Sequence, residues 1–202
     1  GVIGACSLQG ENDHSVVSSD SDVNRLLDKL FDEQIAQYPT WQTALGLKAN
    51  YDKWDDLSER FMERAHALDL AQLGRVDQIN TGALDEAKSL SVQLYKKGLE
   101  ESLEDYRWRF YDYPVNQMFG THSDGPSLLI NMHQIKSEQD AKDYIRRLEN
   151  VPILFDQLIG GLEKRSELGV IPPKFVFPYL VSDSQNVIKG APFDEGEDSV
   201  LL

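Results

Sequence analysis

The helical period is clearest in residues 20–38, DSDVNRLLDKLFDEQIAQY. Apolar residues recur there every three or four positions and form a single stripe, which is typical of an amphipathic helix. Asp and Ser residues precede the stripe as helix caps, and Pro39 follows it as a stop signal. This segment therefore predicts a helix with one buried face. The stripe consists of Val23, Leu26, Leu27, Leu30, Phe31, Ile35 and Tyr38.

The same period predicts further helices along the chain. Residues 55–79 carry two neighbouring apolar stripes, and residues 83–108 form a third long helix in which Gly98 is a weak point. Long helices joined by short turns pack most easily as an antiparallel bundle. Because no stretch alternates apolar and polar residues as a strand does, the predicted fold class is all-α, with a helical domain over residues 20–190.

Residues 109–136 lack this period. They are rich in aromatic side chains, and Gly120, Gly125 and Pro126 are expected to break any helix there. A segment without regular structure of its own must take its order from packing against the bundle. The sequence therefore predicts an irregular aromatic and glycine-containing loop region around residues 109–136.

Helical signals resume at Ser137, which forms a capping pair with Asp140. Pro152 is expected to start another helix at its first turn, and Pro172-Pro173 to open the last one. Residues 191–202 are predicted to be a loop that continues into a further, missing C-terminal region. The tryptophans are expected to anchor the core or the contacts between helices: Trp41, Trp54 and Trp108.

The composition restricts the partners of the protein. The chain has 202 residues with 34 acidic and 20 basic side chains, which gives a net charge of −14. This charge repels nucleic acid phosphates and anionic lipid surfaces, so nucleic acid is excluded as a partner. No apolar stretch approaches the roughly 20 residues that span a bilayer. Membrane association therefore requires a covalent anchor or a segment outside this sequence.

The N-terminus contains such an anchor signal. Residues 3–6, Ile-Gly-Ala-Cys, resemble the lipobox of bacterial lipoproteins, in which the cysteine receives the lipid. The polar, aperiodic residues that follow are typical of a flexible tether. Residues 1–19 are therefore interpreted as the remnant of a signal peptide and lipobox followed by a tether, with lipid attachment at Cys6. Two or three acyl chains on one cysteine form a stable membrane anchor.

The residue after the cysteine indicates a location. Ser7, rather than an aspartate, resembles the pattern of lipoproteins sorted to the outer membrane, so the predicted location is the bacterial cell envelope, at the outer membrane facing the periplasm. The alternative is that Cys6 is a buried structural residue, as a lone cysteine often is. The absence of an amphipathic element around Cys6 favours the lipid.

The sequence contains no recognisable catalytic motif. None of its histidines belongs to an H-E-x-x-H pair, and none has a cysteine at metal-ligand spacing, so no metal site is predicted within this chain. Acidic pairs such as Glu100 and Glu101 are interpreted as the solvated surface of a helix. The histidines are His14, His66, His122 and His133.

Several short motifs occur in an order and spacing that resemble one large bacterial family, domain of unknown function 885. The likeness covers most of residues 20–190. The motifs are YPVNQMFG at residues 113–120, DAKDYIRRL at 140–148 and GVIPP at 169–173, together with Tyr38-Pro39-Thr40 and Ala44-Leu45-Gly46.

The resemblance carries implications for function. Members of that family are longer, mainly helical, and similar to zinc metallopeptidases of the gluzincin type, and many are described as lipoproteins. Their histidine–glutamate zinc motif lies in a later part of the chain, and nothing in this sequence matches it. The resemblance implies that this chain is the N-terminal portion of such a protein, with zinc and hydrolytic activity confined to the remaining polypeptide. It also implies that Asn116, Gln117 and His122 line a cleft.

Two functions follow from these observations. The first is the N-terminal helical scaffold of a lipid-anchored, metallopeptidase-like protein, which contacts the remainder of its own polypeptide and helps to form a cleft for peptides. The second is a non-catalytic lipoprotein module of the cell envelope that binds a protein or peptide partner. The sequence leaves both open.

Overall fold

A computed structural model describes residues 19–189 of the chain. Within this range the protein contains helices and no strands, which confirms the predicted all-α fold class. None of the helices in residues 19–189 has the length and apolar character needed to cross a membrane. The helices are α1 (Asp20–Ile35), α2 (Pro39–Ala44), α3 (Glu59–Val76), α4 (Glu86–Asp105), α5 (Thr121–Asn131), α6 (Glu138–Glu167) and α7 (Phe177–Lys189), with short 3₁₀ turns at Thr81–Ala83, Tyr106–Trp108 and Lys174–Val176.

Side-chain caps define where the long helices begin. Ser19, Ser58, Asp85 and Ser137 each accept a hydrogen bond from the backbone N–H three residues further on. A cap of this kind stabilises a helix by about 1 kcal/mol. The predicted pairing of Ser137 with Asp140 is present, because Ser137 Oγ accepts from the Asp140 N–H.

Helices α1, α3 and α4 form a bundle. Asp69 of α3 contacts Ser102 of α4, and Asp77, which follows α3, contacts Lys96. A later residue of the α3 region thus contacts an earlier residue of α4, so α3 and α4 are antiparallel. Contacts between α1 and α3 run in the same opposed order.

The bundle is held together by an apolar core and one buried amide. Gln72 is fully buried, where it donates to the Leu30 carbonyl and accepts from the Tyr95 hydroxyl at 2.8 Å. These bonds offset the loss of water around the amide. Burial of each large apolar side chain stabilises the fold by about 1.5–3 kcal/mol. The core cluster contains Val23, Leu30, Val76, Ile79, Val92 and Leu99.

Two predicted helix breaks are absent. Residues 109–120 are largely irregular, but α5 occupies Thr121–Asn131 with Gly125 and Pro126 inside it, so the expectation that these residues break any helix is wrong. Pro152 does not start a helix either, because it lies in the middle of the continuous helix α6. A proline inside a helix costs about 3 kcal/mol. In α6 this cost is offset by tertiary packing on both sides of Pro152, since Arg147 and Leu154 are both buried.

Residues 48–57, which link α2 to α3 in the chain and begin with a turn at 49–52, lie along α6. Their contacts follow α6 in the same direction: Lys48 binds the Asp140 carboxylate, the Trp54 indole N–H donates to the Arg147 carbonyl at 2.8 Å, and the Leu57 N–H donates to Gln157. Side chains of α6 also satisfy backbone polar groups of this non-helical segment, since Gln157 accepts from the Leu57 N–H and Arg147 donates to the Lys53 carbonyl. The 48–57 segment is fixed along α6 and forms a wall between α6 and the bundle.

The tryptophans only partly fulfil the predicted role as anchors. Trp54 is half-buried and contacts α6, as expected. Trp41 and Trp108 are not core residues, since they keep 45% and 50% of their surface exposed, but Trp41 of α2 does contact another helix through the Phe31 ring of α1. A flat aromatic ring can cover neighbouring side chains with one face and leave the other in solvent, which sequence periodicity does not reveal.

Candidate functional site

The candidate site is a cavity of about 410 Å³ between α5, α6 and α7, closed on one side by Trp54 of the 48–57 segment. Its walls are almost entirely carbon atoms, and helices α5 and α6 contribute most of them. Apolar pockets of this size commonly hold small ligands or single side chains of a partner. The lining residues are Trp54, His122, Gly125, Pro126, Leu129, Leu148, Val151, Leu154, Phe155, Ser184 and Val187.

His122 is the titratable side chain of this cavity. It is buried in the first turn of α5, with Nε2 3.7 Å from a carboxylate oxygen of Asp183 on α7. Its Nδ1 atom is buried and has no hydrogen-bond partner. The other polar group, the Ser184 hydroxyl, donates to the Leu180 carbonyl of its own helix at 2.8 Å. The cavity therefore offers an apolar surface with one imidazole at its edge.

A smaller cavity of about 210 Å³ adjoins the first, and Trp54, Gly125 and Leu154 line both. Its walls also include the carboxylates of Asp55 and Asp124. The Trp54 ring and its neighbours thus separate an apolar compartment from a more polar one. The position of Trp54 determines the shape of both.

Trp54 is positioned by Arg147, which is fully buried in α6. The Arg147 carbonyl accepts from the Trp54 indole, and the guanidinium Nε–H donates to the Lys53 carbonyl at 3.0 Å. The guanidinium also lies over the rings of Tyr51 and Trp54, 5.3 and 5.7 Å from their centroids. Residues 51–54 are therefore fixed by one residue, whose backbone carbonyl accepts from Trp54 and whose side chain donates to Lys53 and makes cation–π contacts.

The guanidinium has further partners from α2 and from the loop before α6. Its terminal nitrogens contact the Thr43 hydroxyl at 2.6 Å, the Pro39 carbonyl at 3.4 Å and His133 Nδ1 at 3.0 Å. None of these direct partners is a carboxylate. Burial lowers the pKa of Arg147 to about 10, which still leaves it charged at neutral pH. A buried charge of this kind is tolerated because neutral acceptors satisfy it.

His133 is held in one tautomer by this arrangement. Arginine can only donate, so His133 Nδ1 accepts from Arg147, and the proton resides on Nε2, which donates to the Asp140 carbonyl at 3.1 Å. Burial lowers the pKa of His133, and the positive charge of Arg147 acts in the same direction. The hydrogen bond from Lys48 is the largest cause that lowers the pKa of Asp140 to about 2.

The residues predicted to line a cleft occupy different positions. His122 lines the 410 Å³ cavity. Asn116 forms a tight turn, in which its side-chain oxygen accepts from the N–H groups of Met118 and Phe119, and Gln117 is exposed on the same turn. Neither of these two residues belongs to the cavity lining. The lipid attachment predicted at Cys6 lies outside the described residues.

Gly120 closes the turn that contains Asn116 and Gln117. Its φ angle is +139°, and a Cβ atom there would lie 2.7 Å from the Pro114 carbonyl oxygen. Only glycine fits this backbone and this contact without strain. This turn therefore places α5, and with it His122, and contributes no side chain of Asn116 or Gln117 to the cavity.

The sequence of the chain matches the model of one protein family. The family model for bacterial proteins of unknown function, DUF885, matches residues 39–200. The chain belongs to this family. The membership confirms the family predicted from the sequence motifs. The matched region of this DUF885 chain contains helices α2 to α7 and all the residues that line the cavity. No curated protein and no solved structure matches the chain.

The family resemblance implies a zinc ion, which proteins bind through His, Cys, Asp and Glu side chains. Within residues 19–189, no three His, Cys, Asp or Glu side chains lie close enough together to hold a metal ion. The ring nitrogens of His133 are both occupied, and His66 stacks on Tyr106 with its centroid 4.0 Å away. These residues of the DUF885 chain do not fit a zinc site, and no hydrolytic step is assigned to them.

Sequence reasoning missed Arg147 and Trp54 as determinants of the site. A charged residue is normally exposed, so the sequence by itself gives no reason to place Arg147 in the core. The helical period of α6 could have identified Arg147 as buried, because it lies in register between the apolar residues of the buried face. That face contains Asp140, Tyr144, Arg147, Val151, Leu154 and Leu158, which follow the helical period.

The stability of the protein is expected to decrease as the pH falls below about 6.5, the ordinary pKa of histidine. In this pH range His133 of the unfolded chain becomes protonated. His133 of the folded protein stays neutral to lower pH, because folding lowers the pKa of its imidazole. The free energy of unfolding therefore falls by up to about 1.4 kcal/mol for each pH unit below 6.5. Above pH 6.5 the stabilisation that His133 contributes is fully present. Urea unfolding at a series of pH values between about 7.5 and 5 measures this slope.

His133→Asn is the matched variant, since the asparagine side-chain oxygen can accept from Arg147 but does not titrate. Its free energy of unfolding should depend less on pH over the same range. Acidic groups with lowered pKa values, such as Glu33 and Asp140, affect stability only at lower pH, below their ordinary pKa values of 4.5 and 3.8. An identical slope in the variant and the unaltered protein would contradict the assignment.

Proposed function

We propose that this chain is the helical scaffold of a lipid-anchored, metallopeptidase-like protein of the bacterial envelope. Its cavity between α5, α6 and α7 serves as an apolar subsite in the wall of a peptide-binding cleft. The scaffold contacts the remainder of its own polypeptide, which supplies the zinc ligands and the hydrolytic chemistry.

The observation that carries this proposal is the apolar character of the 410 Å³ cavity. Its volume suits a large aliphatic or aromatic side chain, which gains about 25 cal/mol for each Å² of apolar surface removed from water. The walls provide no set of polar groups that would recognise a charged metabolite. Peptides with an apolar residue are therefore the ligand class that the cavity fits best.

Exposed apolar side chains on the same helices support a covering partner. Ile130 of α5, Ile153 of α6 and Val181 of α7 each keep more than half of their surface exposed. Apolar surface of this extent on neighbouring elements is typical of a contact face. The remaining polypeptide is the partner proposed here, because the family resemblance implies a longer protein.

The anchor is proposed on the residues of the N-terminal segment. Cys6 follows Ile3, Gly4 and Ala5 in lipobox order, and a polar stretch separates it from Asp20, where α1 begins. Such a stretch allows the helical domain to stand clear of the lipid headgroups. The proposed location is the outer membrane, facing the periplasm.

One preparation tests the anchor and the catalytic partner region. The full-length protein, expressed with its signal peptide and purified from bacterial membranes, is expected to carry acyl chains on Cys6 by mass spectrometry. It is also expected to contain zinc and to lose peptide hydrolysis on chelation. An unmodified Cys6 contradicts the anchor. A reading frame that stops after Leu202, or a zinc-free and inactive full-length protein, contradicts the scaffold and favours a non-catalytic lipoprotein module that binds a partner.

The cavity itself is tested with Ser184→Phe, which places an aromatic ring at the cavity wall on the exposed side of α7. A neutral apolar dye such as Nile red is expected to bind the unaltered chain and to bind this variant about tenfold more weakly, because the ring occupies the apolar volume. Fluorescence titration measures the affinity.

Ser182→Phe is the matched control, since Ser182 is exposed on the same helix and does not line the cavity. It adds the same ring to α7 and should leave dye binding unchanged. Equal affinities for the Ser184→Phe variant and the unaltered chain would contradict the cavity as the binding site, and so would an equal loss in both variants.

A further inference from the structure

A second depression, here called the aromatic groove, lies on the other helices, α1 to α4. It has a volume of about 540 Å³ and is more open than the cavity described above. Phe31, Tyr38 and Trp41 form one side of it, and Leu94 of α4 lies on the other. Phe31, Trp41 and Leu94 are exposed by 42%, 45% and 64%. The groove therefore presents apolar and aromatic surface directly to solvent.

The aromatic rings of the groove are arranged around one another. The rings of Phe31 and Trp41 meet edge to face with centroids 5.9 Å apart, and Tyr38 is tilted against Trp41 at 6.3 Å. Aromatic faces carry negative electrostatic potential, so several rings at different angles attract an organic cation. This property distinguishes the groove from the cavity between α5, α6 and α7, which contains aliphatic side chains for the most part.

Two carboxylates also line the groove. Asp69 is only 8% exposed, and its oxygens accept from the Gln34 amide and the Ser102 hydroxyl, each at 2.6 Å. Asp55 is half-buried and accepts from the N–H and the hydroxyl of Thr40. All of these donors are uncharged. Each carboxylate retains lone pairs for a further donor.

Among the described residues, neither carboxylate forms a direct ion pair, although Arg147 is close enough to Asp55 for the two charges to interact. Within residues 19–189, no lysine, arginine or histidine forms an ion pair with Asp55 or Asp69. Glu33 of α1 provides the contrast, because it is paired with Arg75. Uncharged donors alone satisfy Asp69, so a cation that reached it would add a charge-assisted hydrogen bond, which is stronger than a neutral one.

The two negative charges act at the same place in the groove. Burial raises the pKa of the Tyr38 hydroxyl, and the charges of Asp69 and Asp55 raise it further. Tyr38 is thus close to both carboxylates and to the Trp41 ring. The groove combines aromatic faces with two carboxylates that form no direct ion pair in the described part of the chain, and these two features recognise a basic side chain.

We propose that the aromatic groove binds the basic side chain of a peptide segment, with an arginine guanidinium stacked on the rings of Trp41 and Tyr38 and hydrogen-bonded to Asp69 and Asp55. Arginine fits better than lysine because its planar group stacks on aromatic rings and donates in a fixed fork. This inference does not depend on the proposed function, since the groove and the cavity use different helices.

The probe is the capped tripeptide acetyl-Ala-Arg-Ala-amide, and its control is the same peptide with citrulline, which has the shape of arginine without the charge. The unaltered chain contains three tryptophans, so the indole N–H signal of Trp41 can be followed separately by NMR. The arginine peptide is expected to shift the Trp41 signal in a saturable way at millimolar concentration, with at least about tenfold weaker binding of the citrulline peptide.

Variants locate the charge that is recognised. Asp69→Asn and Asp55→Asn keep the shape and a hydrogen-bonding group at each position, and each should weaken binding of the arginine peptide about tenfold. Asp156→Asn is the control, because it removes the same charge from an exposed position of α6 outside the groove, and it should change the affinity less than about twofold.

Three results would overturn the proposal: no shift of Trp41 up to about 10 mM peptide, equal affinity for the arginine and citrulline peptides, or equal weakening by Asp156→Asn and the groove variants. The comparison of the two peptides uses the unaltered protein, so it decides the question even if a variant fails to fold.

Discussion

A single buried guanidinium, that of Arg147, constrains much of this structure. The side chain is fully buried in α6, and four of its N–H groups donate to acceptors from α2, the 48–57 segment and His133. A charge removed from water is stable only when neutral acceptors or opposite charges surround it. The elements that supply these acceptors must therefore converge on α6, and the fold is organised around that requirement.

The candidate sites depend on the same convergence. Because Arg147 fixes residues 51–54, the Trp54 ring stands between the apolar cavity and its smaller polar neighbour. Asp55 follows directly and borders the aromatic groove on the other side. The 48–57 segment thus separates an apolar site on α5, α6 and α7 from a negatively charged aromatic site on α1 to α4.

The sequence predicts the helical class, most helix positions and the capping pair at Ser137, because these depend on local period and local hydrogen bonds. It fails at Pro126 and Pro152, where tertiary packing offsets a local cost. For the site, the sequence identifies His122, yet it does not identify Arg147, because the burial of a charged residue depends on acceptors distant in the chain. The pairing of such distant groups is a property of the folded topology.

The most direct test of this account is the free energy of unfolding of Arg147→Met, measured by urea denaturation beside Arg146→Met. Arg146 is the adjacent, exposed arginine of the same helix. The account predicts that Arg147→Met loses about 3 kcal/mol or more, because its acceptors are left buried and unpaired, while Arg146→Met changes stability by about 0.5 kcal/mol or less. An Arg147→Met protein as stable as the unaltered chain, or more stable, would contradict it, since the cost of burying the charge would then outweigh its contacts.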